Sequence, residues 1–126
     1  MKSNKALERM RRRKRLRMAA FEHYGGAVCA CWGEREVLFL TLDHMNNDGA
    51  QHRVQMRAEG YAAGKSHSSC AIEEWLADHD YPQDIGIQVM CYNCNCGRHI
   101  NEGTCPHRNK PNRVYLSQQR GFARSQ

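Results

Sequence analysis

Seven cysteines in a chain of 126 residues are the feature that most restricts what this sequence can fold into. No apolar segment follows the basic first residues, so we expect no secretory signal, and reduced thiols with metal rather than a disulfide framework. Cys91 and Cys94 have the Cys-x-x-Cys spacing in which two thiolates reach one tetrahedral Zn²⁺. Cys29 and Cys31, separated by one residue, are the nearest candidates for the other two ligands. The spacing therefore predicts one structural zinc bound by these four cysteines.

Other thiols and imidazoles leave the ligand set open. Cys105 or His107 can complete the zinc site if Cys31 points away from it. Cys96, His99, Cys105 and His107 also have the residue types for a second zinc, although their short spacing makes that site geometrically awkward. Buried, reduced cysteines without a metal are the remaining interpretation of either pair.

The positive charge of the chain is concentrated at its two ends. Residues 1–18 contain nine Lys or Arg and one acidic residue, residues 19–97 contain four and eleven, and residues 98–126 contain six and one. Such ends favour a polyanionic partner, bound with strong salt dependence. Few bulky apolar residues interrupt the first basic run, so nucleic acid is preferred over an anionic membrane surface. The residues of this run predicted to contact nucleic acid are Arg11, Arg12, Arg13, Lys14 and Arg15.

Hydrophobic periodicity and breaker residues predict a mixture of helices and strands. The predicted helices cover residues 6–24, 51–59, 69–79 and 95–101, and the predicted strands cover residues 37–42 and 85–90. Ser69 is the expected N-cap of the third helix, whose apolar stripe is Ile72, Trp75 and Leu76. A loop is expected at residues 60–68, and no apolar run approaches the roughly 18 residues of a membrane span.

The order of these parts predicts a hydrolytic site. Asp43 and His44 follow the first strand, and Asn95 follows the second cysteine pair. A zinc between the cysteine pairs would bring Asp43 close to Asn95, with His44 beside them. Carboxylate and amide oxygens suit Mg²⁺ or Mn²⁺, and a neutral imidazole can take a proton from water near pH 7. This combination is what hydrolysis of a phosphodiester bond requires.

Several short motifs follow one another along residues 20–108. They are YGG (24–26), LDHMNNDG (42–49), HR (52–53), WL (75–76), YP (81–82), QVMCYNCN (88–95) and GTCPH (103–107). Together they resemble the HNH endonucleases (the ββα-metal or His-Me finger nucleases), particularly the small members encoded by bacteriophages. The resemblance implies an α+β fold: a zinc-stabilised ββα-metal core with a basic N-terminal helix and an additional helix between the two strands. The implied organisation is a helical extension at 1–19, a nuclease domain at 20–108 and a basic tail at 109–126.

The resemblance implies a role for each matching residue. His44 would be the general base that activates the attacking water. Asp43 and Asn95 would hold the catalytic Mg²⁺ or Mn²⁺ beside the scissile phosphate. His52 and Arg53 are looser candidates for contacts with the substrate.

The sequence departs from the family pattern at three positions. The second cysteine of the first pair falls on Trp32 in the family register, which leaves Cys29 and Cys31. Gly86 stands where the family signature has its middle asparagine. Arg98 replaces the usual lysine after the last signature asparagine, and would contact a phosphate with different geometry.

The implied activity is that of a metal-dependent DNA endonuclease or nickase with a structural zinc, and the implied partner is double-stranded DNA. Two alternatives are a zinc-stabilised nucleic-acid-binding protein without catalysis and a junction-resolving nuclease that uses the same site. The expected location is intracellular, in the cytoplasm of a bacterial host if a phage encodes the chain. The oligomeric state is left open.

Overall fold

The computed structural model describes residues 2–61 and 70–108 of the chain. Within these ranges the elements are α1 (Asn4–His23), β1 (Leu40–His44), α2 (Gly49–Ala58), α3 (Ala71–Asp78), β2 (Ile87–Cys91) and α4 (Tyr92–Ile100). β1 and β2 pair as a two-stranded antiparallel sheet. The expected α+β class is confirmed at this level, with two described helices rather than one between the strands. Ser69, most of the expected loop at 60–68 and the expected tail at 109–126 lie outside the described residues.

Contacts divide the chain into two compact units. The first consists of residues 1–27 and 42–88, and the second consists of residues 28–41 and 89–126. β1 therefore begins in the second unit and ends in the first, whereas β2 begins in the first and ends in the second.

In the first unit, α1 forms because its sequence contains many strong helix formers and no Gly or Pro. Ser3 caps the helix, and its Oγ accepts a hydrogen bond from Ala6 N–H at 3.2 Å. Gly25 and Gly26 follow its end with φ values of 106° and 96°, which other residues avoid. The predicted helix at 6–24 is confirmed. Among the described helices, none combines the length and the apolar character needed to cross a membrane.

The core of the first unit lies between α1, α2 and α3. Phe21 of α1, Met56 of α2 and Leu76 of α3 are each at most 1% exposed, and Trp75 of α3 is 5% exposed. α3 contacts both other helices. Burial of a large apolar side chain contributes roughly 1.5–3 kcal/mol, so these residues hold the three helices together.

The predicted strand at 37–42 is wrong in its first half. Residues Val37–Phe39 form a 3₁₀ turn that is closed by Phe39 N–H donating to Glu36 O at 2.9 Å. Leu38 is 80% exposed, although an uninterrupted apolar run predicts a buried strand. β2 has five residues, so a strand that started at Val37 would lack a partner for its first residues. β1 therefore starts at Leu40 and carries the chain on to His44.

The second unit begins with a tight turn at residues 29–34. Cys29 N–H donates to Glu34 O at 2.9 Å, which closes the turn. Ala30 N–H donates to Val89 O at 2.9 Å, which attaches the turn to β2. The first cysteines of the chain are thus held close to the strand that leads into the Cys-x-x-Cys pair.

α4 starts at Tyr92, directly after β2, rather than at residue 95 as predicted. Cys91 is its N-cap, and Cys91 Sγ accepts a hydrogen bond from Cys94 N–H at 3.4 Å. The Cys-x-x-Cys pair therefore occupies the cap and first turn of the helix. Gly103 follows the helix with φ 94° and donates its N–H to Arg98 O at 2.8 Å, which turns the chain back.

Candidate functional site

At the end of β1, a buried carboxylate and a histidine are adjacent in the first unit. Asp43 is 2% exposed, and its Oδ2 accepts a hydrogen bond from Gln88 Nε2 at 2.8 Å. Burial lowers the pKa of His44, although the nearby carboxylates of Asp48 and Asp43 act in the opposite direction. His44 is therefore neutral near pH 7, which is the form that accepts a proton.

His44 is paired with a second histidine. His44 Nε2 lies 2.8 Å from His52 Nδ1, and the two rings meet at 71° with centroids 5.1 Å apart. The His52 ring packs edge to face with Trp75 of α3, with ring centroids 4.4 Å apart and planes at 79°, so packing holds the second ring in place. Burial lowers the pKa of His52 as well, and proximity to His44 lowers it further. Two neutral rings can share one hydrogen bond, with one nitrogen donating and the other accepting.

The other ring nitrogen of His44 faces the start of α2. A Cβ atom placed on Gly49 would lie 3.2 Å from His44 Nδ1 and 3.4 Å from Arg53 Nη1. A side chain at position 49 would therefore crowd both groups. Because residue 49 is glycine, the space beside it stays open, and both His44 Nδ1 and the Arg53 guanidinium border that space.

The loop after β1 is held by a residue that departs from the family pattern. Gly86 has φ 71°, and a Cβ at that position would lie 2.8 Å from Asn46 Nδ2. Gly86 O accepts a hydrogen bond from Met45 N–H at 2.8 Å. Glycine at position 86 therefore adopts this positive φ without strain and leaves room for the Asn46 side chain beside it.

A cleft of about 150 Å³ opens beside the two histidines. Its lining residues are His44, Asp48, Gln51, His52, Gln55, Trp75 and Ile85. Asp48 Oδ1 and His52 Nε2 are buried here without a hydrogen-bond partner in the described part of the chain. The volume is below the roughly 300–1,000 Å³ of small-molecule pockets, so the cleft suits water or part of a large ligand.

Asn95 and Arg98, two of the residues predicted to act on the phosphate, lie in the second unit. Asn95 is on α4, and its Oδ1 is a buried oxygen without a hydrogen-bond partner among the described residues. Arg98 is 7% exposed, which distinguishes it from the accessible phosphate-binding residue that the resemblance implies. Asp43 belongs to the first unit, so its pairing with Asn95 on one ion stays a prediction.

The second unit also contains a cluster of metal-ligand side chains. The ligand atoms of Cys31, Cys94, Cys105 and His107 all lie within 4.8 Å of one another. His107 Nδ1 is 3.4 Å from Cys94 Sγ, 3.4 Å from Cys105 Sγ and 4.0 Å from Cys31 Sγ. Bonds of about 2.3 Å to sulfur and 2.0–2.1 Å to nitrogen put the N and S ligands of a tetrahedral zinc about 3.6 Å apart. This group, which we call the CCCH tetrad, is close enough to hold a metal ion.

A second group shares one cysteine with the CCCH tetrad. The Sγ atoms of Cys29, Cys91 and Cys94 also lie within 4.8 Å of one another. The predicted set of Cys29, Cys31, Cys91 and Cys94 is therefore divided, because Cys31 belongs only to the CCCH tetrad. Cys29 Sγ instead accepts a hydrogen bond from Trp32 N–H at 3.4 Å, within its own turn.

The tendency to ionise differs among these thiols. Burial opposes ionisation of Cys29, but backbone N–H groups, led by that of Trp32, lower its pKa to about 7. Burial raises the pKa of Cys94 and of Cys105. In the absence of a metal these two thiols keep their protons, so binding of an ion there would release them.

The alternative second zinc site does not form among the described residues. Cys96 and His99 are exposed on α4, whereas Cys105 and His107 are part of the CCCH tetrad. From the sequence, Cys105 or His107 is expected at the predicted zinc site only in place of Cys31. Their proximity to Cys31 and Cys94 depends on the turn at Gly103, which spacing alone does not reveal.

The DNA-contacting residues predicted in the basic run lie on α1 in the first unit, whereas Arg53 is on α2 and Arg98 is on α4. Arg11, Arg12, Lys14 and Arg15 are exposed, and Arg13 is half-buried. Arg12 Nη1 forms an ion pair with Glu74 Oε1 at 2.9 Å, so part of its charge is directed toward α3. The remaining exposed cations are available to a polyanion.

Comparison with models of known protein families, with curated proteins and with solved structures finds no match to this chain. A function for this chain therefore has to be inferred from its residues and their geometry.

Proposed function

We propose that this protein is a metal-dependent DNA endonuclease or nickase of the HNH type, with His44 as the general base. The observation that carries the proposal is the hydrogen bond between His44 Nε2 and His52 Nδ1 at 2.8 Å. This bond orients a neutral imidazole whose other nitrogen, Nδ1, faces the region of Arg53. A base with one nitrogen held in place and the other directed toward a phosphate-binding cation suits general-base hydrolysis.

In the proposed reaction, His44 Nδ1 takes a proton from a water molecule. The water oxygen then forms a bond to phosphorus, and the bond from phosphorus to the 3′ oxygen breaks. The leaving oxygen takes up a proton from solvent, and His44 later returns its proton to solvent. The Arg53 guanidinium, close to the same nitrogen, would bind a phosphate oxygen. The products would be a 5′ phosphate and a 3′ hydroxyl.

Asp43 and Asn95 are the residues that would hold the catalytic Mg²⁺ or Mn²⁺. Each offers a side-chain oxygen, the ligand type these ions prefer. Asp43 is a buried carboxylate, and Asn95 Oδ1 is a buried oxygen without a hydrogen-bond partner among the residues described. When bound, such an ion stabilises negative charge on the phosphate and on the leaving oxygen.

A structural zinc in the second unit is the other part of the proposal. Its support is the group of thiols and one imidazole that are close enough to hold a metal ion. Thiolate and imidazole ligands in a closed, four-ligand set are typical of structural zinc. The ion would connect the turn at residues 29–34 to α4 and to the segment that follows it.

Cleavage of a supercoiled plasmid tests the catalytic part. We expect nicking that requires Mg²⁺ or Mn²⁺ and that falls by at least about 100-fold in His44→Ala, the usual minimum for loss of a general base. His52→Ala should also reduce the rate while leaving DNA binding intact, because it removes the partner of His44 Nε2.

The matched control is His99→Ala, which removes an exposed histidine on α4 and should cleave like the unmodified protein. Unchanged cleavage by His44→Ala would refute the assignment of the base. DNA and zinc binding without turnover in the unmodified protein would instead indicate a non-catalytic binding module. A four-way junction assayed beside linear duplex separates a junction-resolving nuclease from a general one.

A further inference from the structure

Trp32 occupies the position at which the resemblance expects a zinc-binding cysteine. Its indole ring stacks on the imidazole of His107, with centroids 4.5 Å apart and planes 15° apart. The indole is 63% exposed, so burial of the tryptophan itself does not account for its place. The contact instead fixes the plane of the imidazole whose Nδ1 lies against three thiols.

We infer that the protein binds its structural ion through Cys31, Cys94, Cys105 and His107, and not through two cysteine pairs. This inference deepens the zinc part of the proposed function and is independent of the nuclease part. The distances of 3.4, 3.4 and 4.0 Å from His107 Nδ1 to the three sulfur atoms bracket the roughly 3.6 Å of a tetrahedral site. Three thiolates and one imidazole nitrogen form a complete ligand set, whereas Cys29, Cys91 and Cys94 have no fourth donor within the same range among the described residues.

Contacts that involve no metal bring the ligand segments together. Gly97 of α4 allows Pro106 to approach closely, since a Cβ at position 97 would lie 3.0 Å from Pro106 Cδ. Arg108 Nη2 donates a hydrogen bond to Ala30 O at 2.9 Å, which attaches the end of the described segment to the turn that carries Cys31. The first contact lies between Cys105 and His107 in the sequence, and the second directly follows His107. The chain thus provides a preformed site, which reduces the ordering cost of binding.

The chemistry of the tetrad selects a thiophilic divalent ion. Binding converts three thiols to thiolates and releases their protons to solvent, while His107 stays neutral with its proton on Nε2. Zn²⁺ carries no geometric preference of its own and accepts this tetrahedral set. Mg²⁺ and Ca²⁺ prefer oxygen ligands and would not compete.

Metal analysis of full-length variants tests the assignment. We expect one equivalent of zinc in the unmodified protein, and more than about 100-fold weaker binding in Cys31→Ser, Cys105→Ser and His107→Ala. That loss exceeds the 10–100-fold typical of changes to groups that only orient a ligand, which is the range expected for Trp32→Ala. Cys96→Ser is the matched control, because Cys96 is exposed on α4 outside both groups, and it should bind like the unmodified protein.

Cys29→Ser and Cys91→Ser distinguish the two groups. Retention of the ion in these variants supports the CCCH tetrad. Loss of the ion in both, with retention in Cys105→Ser and His107→Ala, overturns the inference while leaving a structural zinc in place. If the unmodified protein binds two equivalents of zinc and Cys105→Ser binds one, the lost ion is still assigned to the CCCH tetrad. A protein that binds no zinc refutes both the inference and the zinc part of the proposed function.

Spectroscopy of the unmodified protein covers the case in which variants do not fold. With zinc bound, the ¹⁵N spectrum should show one histidine with its proton on Nε2 and a metal-shifted Nδ1 resonance. Co²⁺ in place of zinc should show the absorption of a tetrahedral site with three sulfur ligands and one nitrogen ligand. Histidine resonances unaffected by metal, together with a four-sulfur spectrum, would overturn the inference. None of these measurements depends on DNA cleavage.

Discussion

Single residues decide the chemistry of the first unit. His44 could be recognised in the sequence from its position after Asp43 and within the LDHMNNDG motif. The sequence did not identify His52 as the hydrogen-bond partner of His44, because His52 lies eight residues further on, after a turn and inside a helix. The 2.8 Å contact arises only where α2 starts at Gly49, so the identity of the orienting group is a tertiary property.

Glu73 is a second residue whose role emerges only in the structure. It lies in the first turn of α3 and is 6% exposed, and its Oε1 lies 3.9 Å from Arg17 Nη1. Burial raises its pKa above the ordinary value of 4.5, although Arg17 acts in the opposite direction. The folded state therefore holds this proton more tightly than the unfolded state, and stability falls as the pH rises through the raised pKa.

We accordingly predict that Glu73→Gln stabilises the protein at neutral pH and leaves it unchanged well below pH 4.5, where the carboxyl is protonated in both states. Urea unfolding of both proteins between pH 3 and pH 8 measures the difference. Glu74→Gln is the control, because Glu74 pairs with Arg12 at a surface position where such pairs contribute about 0–1 kcal/mol. Equal pH profiles for Glu73→Gln and the unmodified protein would contradict the prediction.

At the level of elements, helices were easier to predict than strands. The breaker residues at Gly25 and Gly26 predicted the end of α1, and a 3.6-residue stripe predicted α3. The apolar run at residues 37–42 predicted a strand, yet half of it is an exposed turn. A strand can extend only as far as its partner strand pairs with it. The length of β1 therefore depends on β2, which lies in a distant part of the sequence.

Two leucines test this account of the elements. Leu76 of α3 is 0% exposed and Leu38 of the 3₁₀ turn is 80% exposed. We predict that Leu76→Ala lowers the free energy of unfolding by about 2–5 kcal/mol, the range for a buried leucine. Leu38→Ala should change it by less than about 0.5 kcal/mol. Equal losses in denaturant unfolding would show that residues 37–39 are buried after all.

The distribution of charge belongs to the whole molecule. The chain has a formal net charge of +6, yet its basic residues lie mainly at the ends, and α1 exposes several of them. A polyanion that binds α1 would release counterions from its phosphates, which makes its affinity fall with salt. The charge pattern therefore predicts how binding responds to salt as well as where it occurs.

We predict that Arg11→Gln with Arg15→Gln weakens duplex DNA binding and lowers the slope of log affinity against log salt by about 0.9 for each phosphate that the variant no longer neutralises. A matched double variant, Arg35→Gln with Arg57→Gln, removes the same charge from exposed positions outside α1. Fluorescence anisotropy at several salt concentrations measures both. The same slope in the two variants would mean that only net charge matters and that α1 does not bind the DNA.

The sequence by itself determined the helices with clear breakers, the basic ends, the adjacent Asp43 and His44, and the residue types that could bind metal. These are properties of composition and short spacing, which act within one or two turns of chain. Only the tertiary structure decided that His52 contacts His44, and that Cys31 lies with Cys105 and His107 rather than with Cys29 and Cys91. The reason is that each contact joins segments whose approach depends on turns, such as those at residues 45–46 and at Gly103, and on the packing of neighbouring elements.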